Sequence, residues 1–362
     1  MEGVNPKFWQ GKRVFLTGHT GFKGSWLGAW LTRLGAHVTG FALPPQTTPS
    51  HFALLPRDYE SIEGDIRDLE ALSGALRRAN PDIVLHLAAQ SLVRASYADP
   101  VGTYATNVMG TLHVFEAIRR TPSARAALIV TSDKCYENRE TMKPYVESDP
   151  MGGHDPYSSS KGCAEILTSS IRRSFFSDSP CLVASARAGN VIGGGDWTAD
   201  ALIPDCIRAW TKGEPVRIRS PRAVRPWQHV LDALSGYLQL TEALFAGRSA
   251  VAKGWNFGPT LDSAWPVEQI VGAIKARLPA FDFVVEPSKE HEANLLTLDS
   301  GQARRELGWK PQWGIETALE KTLEWYMTHR DFGELLTGEH IREHMAERSL
   351  SNAAARVPER AP

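Results

Sequence analysis

The stretch Arg13-Val14-Phe15-Leu16-Thr17-Gly18-His19-Thr20-Gly21-Phe22-Lys23-Gly24 joins a short apolar run to three glycines spaced three and three, and apolar residues at helical spacing follow from Ser25 to Leu34. Strand, glycine-rich turn and helix are expected in that order. Glycines at 18, 21 and 24 would let the turn approach a pyrophosphate, and the helix start offers amide donors and a positive dipole to that anion. Gly18, His19, Gly21, Phe22, Lys23 and Gly24 are therefore candidate dinucleotide contacts. Glycines also make ordinary tight turns, and the usual fingerprint is spaced two and three. The position at the first strand and helix unit favours the dinucleotide.

Working outward, further apolar runs at Ala36–Phe41, Ser61–Gly64, Ile83–Leu87, Ala127–Thr131 and Leu182–Arg187 read as strands. Between them lie helical segments: one capped by Asp68 and running to about Ala79, one over Pro100–Arg119, and one opened by Asp155-Pro156 and running to Phe176. This alternation predicts an α/β fold, a doubly wound parallel Rossmann-type sheet, with a smaller mixed substrate-binding lobe. The expected division is 1–190 for the dinucleotide-binding domain and 191–332 for the lobe, interleaved with the first domain. Residues 333–362 form a C-terminal extension, and the stretch from about Ser349, rich in Ala, Arg, Ser and Pro, is expected to be a mobile tail.

The chain has 362 residues, 42% of them hydrophobic, which is ordinary globular composition. With 40 Lys and Arg against 41 Asp and Glu, it has no excess charge for a phosphate backbone, so nucleic acid is not an expected partner. Neither a signal peptide nor an apolar run of spanning length is visible, so no membrane is expected. Cys135, Cys163, Cys181 and Cys206 are not closely paired and read as reduced thiols of a cytoplasmic protein. The histidines lack ligand spacing, so no metal is expected.

Tyr157 and Lys161 lie four apart, hence one turn apart on one helix face, where both can address one reacting group. That pairing suits hydroxyl oxidation. Thr131-Ser132-Asp133-Lys134 closes a buried strand where polar side chains emerge, and Asp133 and Lys134 there supply an acid and a base beyond what hydride transfer needs. Each also has a plainer reading, as a packed phenol, a solvated lysine or a local ion pair.

Gly18-X-X-Gly21-X-X-Gly24, Asp65, Leu87-Ala88-Ala89, Thr131-Ser132, Tyr157 with Lys161, and Ala186-Arg187-Ala188-Gly189-Asn190 together resemble the extended short-chain dehydrogenase/reductases that act on nucleotide sugars. The resemblance runs from about Gly11 to Trp325. Thr131 to Asn138 and Arg225-Pro226-Trp227-Gln228-His229-Val230 are similar to the CDP-glucose 4,6-dehydratase branch of that family. The dTDP-glucose dehydratases have Asp-Glu where this chain has Asp133-Lys134.

The resemblance implies a lyase of deoxysugar biosynthesis. Bound NAD oxidises the sugar at C4 with Tyr157 as base and Ser132 as hydrogen-bond partner. Water is then eliminated across C5 and C6, and hydride returns to C6 to give CDP-4-dehydro-6-deoxy-glucose. A C4 ketone acidifies the C5 hydrogen, so the elimination needs a base at C5 and an acid at O6. Asp133 as that acid requires a carboxyl kept protonated, and Lys134 as that base requires a neutral amine.

Lys161 would steady the phenolate and hold the nicotinamide ribose, and Asn107 would order Lys161. Asp65 could meet the adenine amino group, with Ile66, Leu87, Ala88, Ala89 and Thr131 completing the cofactor contacts. Arg225 and Asn190 suit the substrate diphosphate, and Gln90 and Ser91 the sugar. NAD is the expected cofactor. NADP stays open, because Phe41-Ala42-Leu43 supplies no acid for the ribose hydroxyls and His19 or Lys23 could meet a 2′-phosphate. A homodimer through the helices at about 100–119 and 156–176 is implied too. The residues leave open a dTDP- or GDP-sugar dehydratase, a nucleotide-sugar 4-epimerase, and a non-catalytic NAD(P)-binding sensor.

Overall fold

The computed structural model describes residues 3–354 except 57, 142, 279 and 287–294. The expected strands form as β1 Arg13–Thr17, β2 His37–Ala42, β3 Glu60–Glu63, β4 Ile83–His86, β5 Ala126–Val130 and β6 Leu182–Arg187. Among the described residues a seventh, β7 Gly254–Asn256, joins them in one sheet of order β7-β6-β5-β4-β1-β2-β3, and every pairing in it is parallel. β7 is only three residues long and carries no alternation of its own, so its sequence reads as an isolated short strand.

Side chains alternate between two cores, as the twofold period of a strand requires. Val14, Leu16, Ile83, Leu85 and Leu128 face one core with Trp26, Trp30 and Leu31 of α1 (Phe22–Arg33). Phe15, Val84 and Ala127 face the other, with Leu72 and Leu76 of α2 (Leu69–Ala79). Asp68 caps α2 as expected, accepting from the backbone N–H groups of Glu70 and Ala71.

The single helix expected over 100–119 is divided. α3 (Pro100–Tyr104) passes through a π-helical turn at Ala105–Gly110 into α4 (Thr111–Arg119). Asn107 sits in that turn and is buried. Its side chain spans two elements, with Oδ1 accepting from Gln90 N at 2.9 Å and Nδ2 donating to Gln90 O and Ser160 Oγ, each at 2.8 Å.

α5 (Pro156–Phe175) starts where Asp155 accepts from Ser158 N at 2.9 Å, with Pro156 in the first turn. α6 (Val230–Phe245) is buried along nearly its whole length. After α7 (Ile315–Phe332) the chain continues as α8 (Thr337–Ala354), so the tail expected from Ser349 begins as helix, and its remainder, 355–362, lies outside the described residues. The weak periodicity of α8 hid it from the sequence, since His340 and His344 supply buried contacts that an apolar pattern would not show. No helix among the described residues is long and apolar enough to cross a membrane.

Because all seven strands run the same way, the loops after β1, β4, β5 and β6 open on one edge. The crevice lies where the sheet order turns, between β1 and β4.

Candidate active site

The glycine loop fits that crevice closely. Gly18 has φ of +75°, and a Cβ there would stand 2.6 Å from Ala88 N, so only glycine lets the loop after β1 lie against the loop after β4. A Cβ on Gly21 would meet only the Gly18 carbonyl, at 3.4 Å, and Gly21 is exposed as the N-cap of α1. The space beside it and the free amides of the first helical turn suit a pyrophosphate. Beneath the loop, Thr17 Oγ1 bonds His86 Nδ1 at 2.7 Å and accepts from the amides of Leu87 and Ala88, while His86 Nε2 bonds Thr111 Oγ1 at 3.1 Å.

His19 and Lys23, the two candidates for a 2′-phosphate, are both engaged within the protein. His19 is fully buried, with Nε2 on Ser61 Oγ at 2.7 Å, and burial lowers its pKa to about 4. Lys23 extends the other way, with Nζ 6.0 Å from the centroid of Tyr237 on α6. Asp65, after β3, is fastened to Arg67 at 2.6 Å, and the buried Ile66 follows it. Ala89 follows Ala88 in the loop after β4.

At the end of β5, Ser132 caps a short 3₁₀ turn, Asp133–Cys135, by accepting from Lys134 N at 3.2 Å. α5 packs directly on this turn. A Cβ on Gly162 would lie 2.6 Å from Gly152 O and 3.1 Å from Cys135 O, so the glycine next to Lys161 permits the approach. That approach sets Ser132 beside the Tyr157 phenol and puts Lys134 Nζ 6.0 Å from the Tyr157 ring centroid.

Ser132 Oγ donates to Asp133 Oδ1 at 3.0 Å, while the buried Oδ2 has no hydrogen-bond partner. Burial raises the pKa of Asp133, and the charges of Lys134, Lys23 and Arg225 only partly offset it. The carboxyl therefore has the environment of a proton donor.

Burial raises the pKa of Tyr157 and outweighs the contact with Ser132. Lys161, expected to loosen the phenol proton, is itself lowered to about 8 by burial and by the charge of Lys23, against the pull of Glu165.

Underneath lies a network that the quoted stretches around Tyr136 and Arg187 contain without marking as one. Glu165, one turn beyond Lys161, accepts from Thr131 Oγ1 at 2.5 Å and from Ser185 Oγ and Arg187 Nη2, each at 2.7 Å. Arg187 Nη1 donates to Tyr136 Oη at 2.6 Å, and Tyr136 donates to Asn256 Oδ1 of β7 at 2.7 Å. The i+4 spacing of Lys161 and Glu165 was the available signal.

Outside the reacting groups a cleft of about 770 Å³ is lined by Ser91, Lys134, His154, Asn190, Arg217 and Arg225, among others. Gln90 is turned away, its amide donating to Leu92 O and Thr103 Oγ1. The cleft also uses 137–140, the turn and helix start at 200–205, and the short strand and loop at 216–220; of these only Glu137 and Asn138 fall in a stretch with a recognisable pattern.

A family model described as GDP-mannose 4,6 dehydratase matches residues 15–322. The chain belongs to this family of nucleotide-sugar dehydratases. Within the family's wider reach, the chain is 47% identical over 332 residues to a CDP-glucose 4,6-dehydratase of Salmonella typhimurium, covering 89% of this chain and 92% of that protein. A dTDP-glucose 4,6-dehydratase of the same organism is 26% identical over 75% of this chain and 79% of its own length. Among solved structures, MoeE5 in complex with UDP-glucuronic acid and NAD superposes with a TM-score of 0.74 at 27% identity, covering 88% of this chain and 99% of that one. The epimerase Mth375 from Methanothermobacter thermautotrophicus shares the fold, with a TM-score of 0.80 at 24% identity over 93% and 96% of the two chains.

Proposed function

We propose that the protein is an NAD-dependent CDP-glucose 4,6-dehydratase. The observation that carries this reading is Asp133 with a buried, unpartnered carboxyl oxygen, in one cluster with Lys134, Ser132 and Tyr157. The 47% identity to a CDP-glucose dehydratase supports the choice of substrate. NAD, when bound, accepts hydride from C4 and returns it to C6. Gly18, Gly21 and the start of α1 would hold its pyrophosphate. His19 and Lys23 are both engaged within the protein, which favours NAD over NADP.

Lys161 and the positive charge of the oxidised cofactor would offset the burial of the Tyr157 phenol, and Tyr157 would then take the proton from the C4 hydroxyl while Ser132 holds that oxygen. Lys134 then removes the C5 proton, which the C4 ketone has made acidic, and Asp133 protonates the C6 hydroxyl as the C6–O bond breaks. The C5–H and C6–O bonds break and one water leaves; as hydride returns to C6, Lys134 gives a proton back to C5, and the proton taken up by Tyr157 replaces the one that Asp133 gave to the leaving water. Residues 1–190 supply most of the cofactor side and 191–332 much of the substrate side, with Arg225 and Asn190 on the diphosphate and Ser91 near the sugar. A homodimer through the helices at about 100–119 and 156–176 is consistent with the exposure of Val101 (79%) and Ile166 (60%), with Tyr104, Met109 and Phe175 beside them.

The test is incubation with CDP-, dTDP-, UDP- and GDP-sugars, followed by alkaline absorbance of the 4-keto product and mass spectrometry. CDP-glucose should lose one water without net NADH release, and absence of product across the panel would overturn the reading. Asp133→Asn should lower product formation about 10²–10³-fold while reduced nicotinamide builds up on the enzyme, because oxidation precedes elimination.

A further inference from the structure

Tyr136 leaves the short turn that carries Asp133 and Lys134, and the reaction above gives it no part. It borders the cleft but is only 1% exposed, so it can act on the chemistry only through the turn. The two ends of that turn are held differently. At its start, Asp133 N donates to Ala188 O at 3.1 Å and Lys134 N donates to Ser132 Oγ, which ties it to the ends of β5 and β6. At its exit the backbone bonds run to a loop, with Gly152 N donating to Cys135 O and Glu137 N to Pro150 O, each at 2.9 Å. The Tyr136 side chain carries the exit back to the sheet.

Its hydroxyl accepts from Arg187 Nη1 of β6 and donates to Asn256 Oδ1 of β7. Neither bond can be reversed. Asn256 Nδ2 already donates to Tyr145 O at 3.0 Å and to Asp299 O at 3.2 Å, so Oδ1 must accept, and a guanidinium can only donate. Asn256 N donates to Glu147 Oε1 at 3.0 Å, which fixes that residue further. The Tyr136 ring stacks on Tyr145 with centroids 5.2 Å apart and planes at 19°. Burial raises the pKa of the phenol despite the charge of Arg187, so it keeps its proton and stays a donor.

We infer that Tyr136 is a positioning residue for the elimination: its hydroxyl clamps the exit of the turn to β6 and β7, which holds Asp133 and Lys134 at C6 and C5 of the sugar. The inference rests on the 4,6-dehydratase reading above. Ser132 and Tyr157 are held from the other side, by β5 and by α5 with its buried Glu165, so oxidation at C4 does not depend on the clamp. Without it, two steps that share one site come apart. Oxidation proceeds and elimination lags.

The experiment is rapid mixing of the NAD-loaded full-length protein with CDP-glucose, followed by the absorbance of reduced nicotinamide, for wild type, Tyr136→Phe and Asn256→Ala. Phenylalanine keeps the stack on Tyr145 and removes only the hydroxyl, whereas Asn256→Ala leaves Tyr136 in place and removes its acceptor. Appearance of the signal reports oxidation, and its decay reports elimination with hydride return. In Tyr136→Phe the appearance rate should stay within about threefold of wild type while the decay rate falls about 10–100-fold, so that reduced cofactor accumulates. Asn256→Ala should show the same split more weakly, because Arg187 still holds the phenol. The calorimetric Kd for CDP should stay within about twofold of wild type in both. Rates that fall together, or that both stay unchanged, in whichever variant is folded by circular dichroism would overturn the role of Tyr136 and leave the dehydratase reading intact. Absence of 4-keto product from CDP-glucose with wild type would overturn both.

Discussion

The two walls of the cleft are built on different principles. On the wall formed by β5, β6 and α5, the ion pair of Arg187 and Glu165 has side chains only 5% and 4% exposed, and Thr131, Ser185 and Tyr136 share its hydrogen bonds. On the opposite rim, Arg217 pairs with Glu286 at 75% and 58% exposure, and Arg94 and Arg219 share Asp200. The first wall sits behind Ser132 and Tyr157, and in the proposed reaction an error of an ångström there would cost rate. The rim lines the outer cleft, and in that reading water-screened charge suffices for the far part of the substrate. The difference predicts that the same chemical change has unlike consequences on the two sides.

The largest effect is expected from Glu165→Gln. Burial opposes ionisation of Glu165, but the charge of Arg187 and three hydrogen bonds overcome it and hold the carboxyl below its usual range. Removing that charge strands a buried guanidinium, so urea unfolding should show a loss of about 3–5 kcal/mol. A loss below about 1 kcal/mol would mean that this wall is no more rigid than the rim.

The same contrast separates what the sequence disclosed from what it concealed. The strands, the glycine loop and the pairing of Tyr157 with Lys161 were legible, because burial on both faces and helical spacing leave periodic traces. Lys23, expected within the glycine-rich turn, stands in the first turn of α1, and its direction was not legible because it depends on Tyr237 of α6, two hundred residues away. Gln90 looked like a sugar contact because it leaves a strand end, yet Asn107 and Thr103 draw it into the backbone of its own loop. The rim residues Arg94, Arg217 and Arg219 carry no motif, as exposed ion pairs impose no pattern on the chain.

A smaller effect should follow mild acid. Burial lowers the pKa of His51 and of His86 to about 3, with the charge of Lys161 adding to the shift at His86. His51 ties α1 to α8 through Ser25 and Thr337, and His86 ties β1 to α4 through Thr17 and Thr111. Above pH 6.5 both the folded and the unfolded chain hold these rings neutral. As pH falls through 6.5 towards 3 the unfolded chain takes up protons that the folded one refuses, so stability declines by about 1 kcal/mol per histidine per pH unit. Between pH 7 and pH 5.5 the urea midpoint should therefore drop, and His51→Gln should show a shallower drop. An unchanged slope in that variant would remove His51 from the account.

The smallest effect is expected at the rim. Arg217→Ala breaks an exposed pair whose attraction is screened by solvent, so its unfolding free energy should stay within about 0.5 kcal/mol of wild type. Arg217 nonetheless lines the cleft, and a nucleotide diphosphate is anionic, so KM should rise several-fold at low salt while kcat holds. In about 1 M salt, where the screening length is ~3 Å, the two proteins should converge in KM. A fall in kcat instead would place Arg217 with the rigid wall, because only groups that hold the reacting atoms change the chemical step without first changing the encounter.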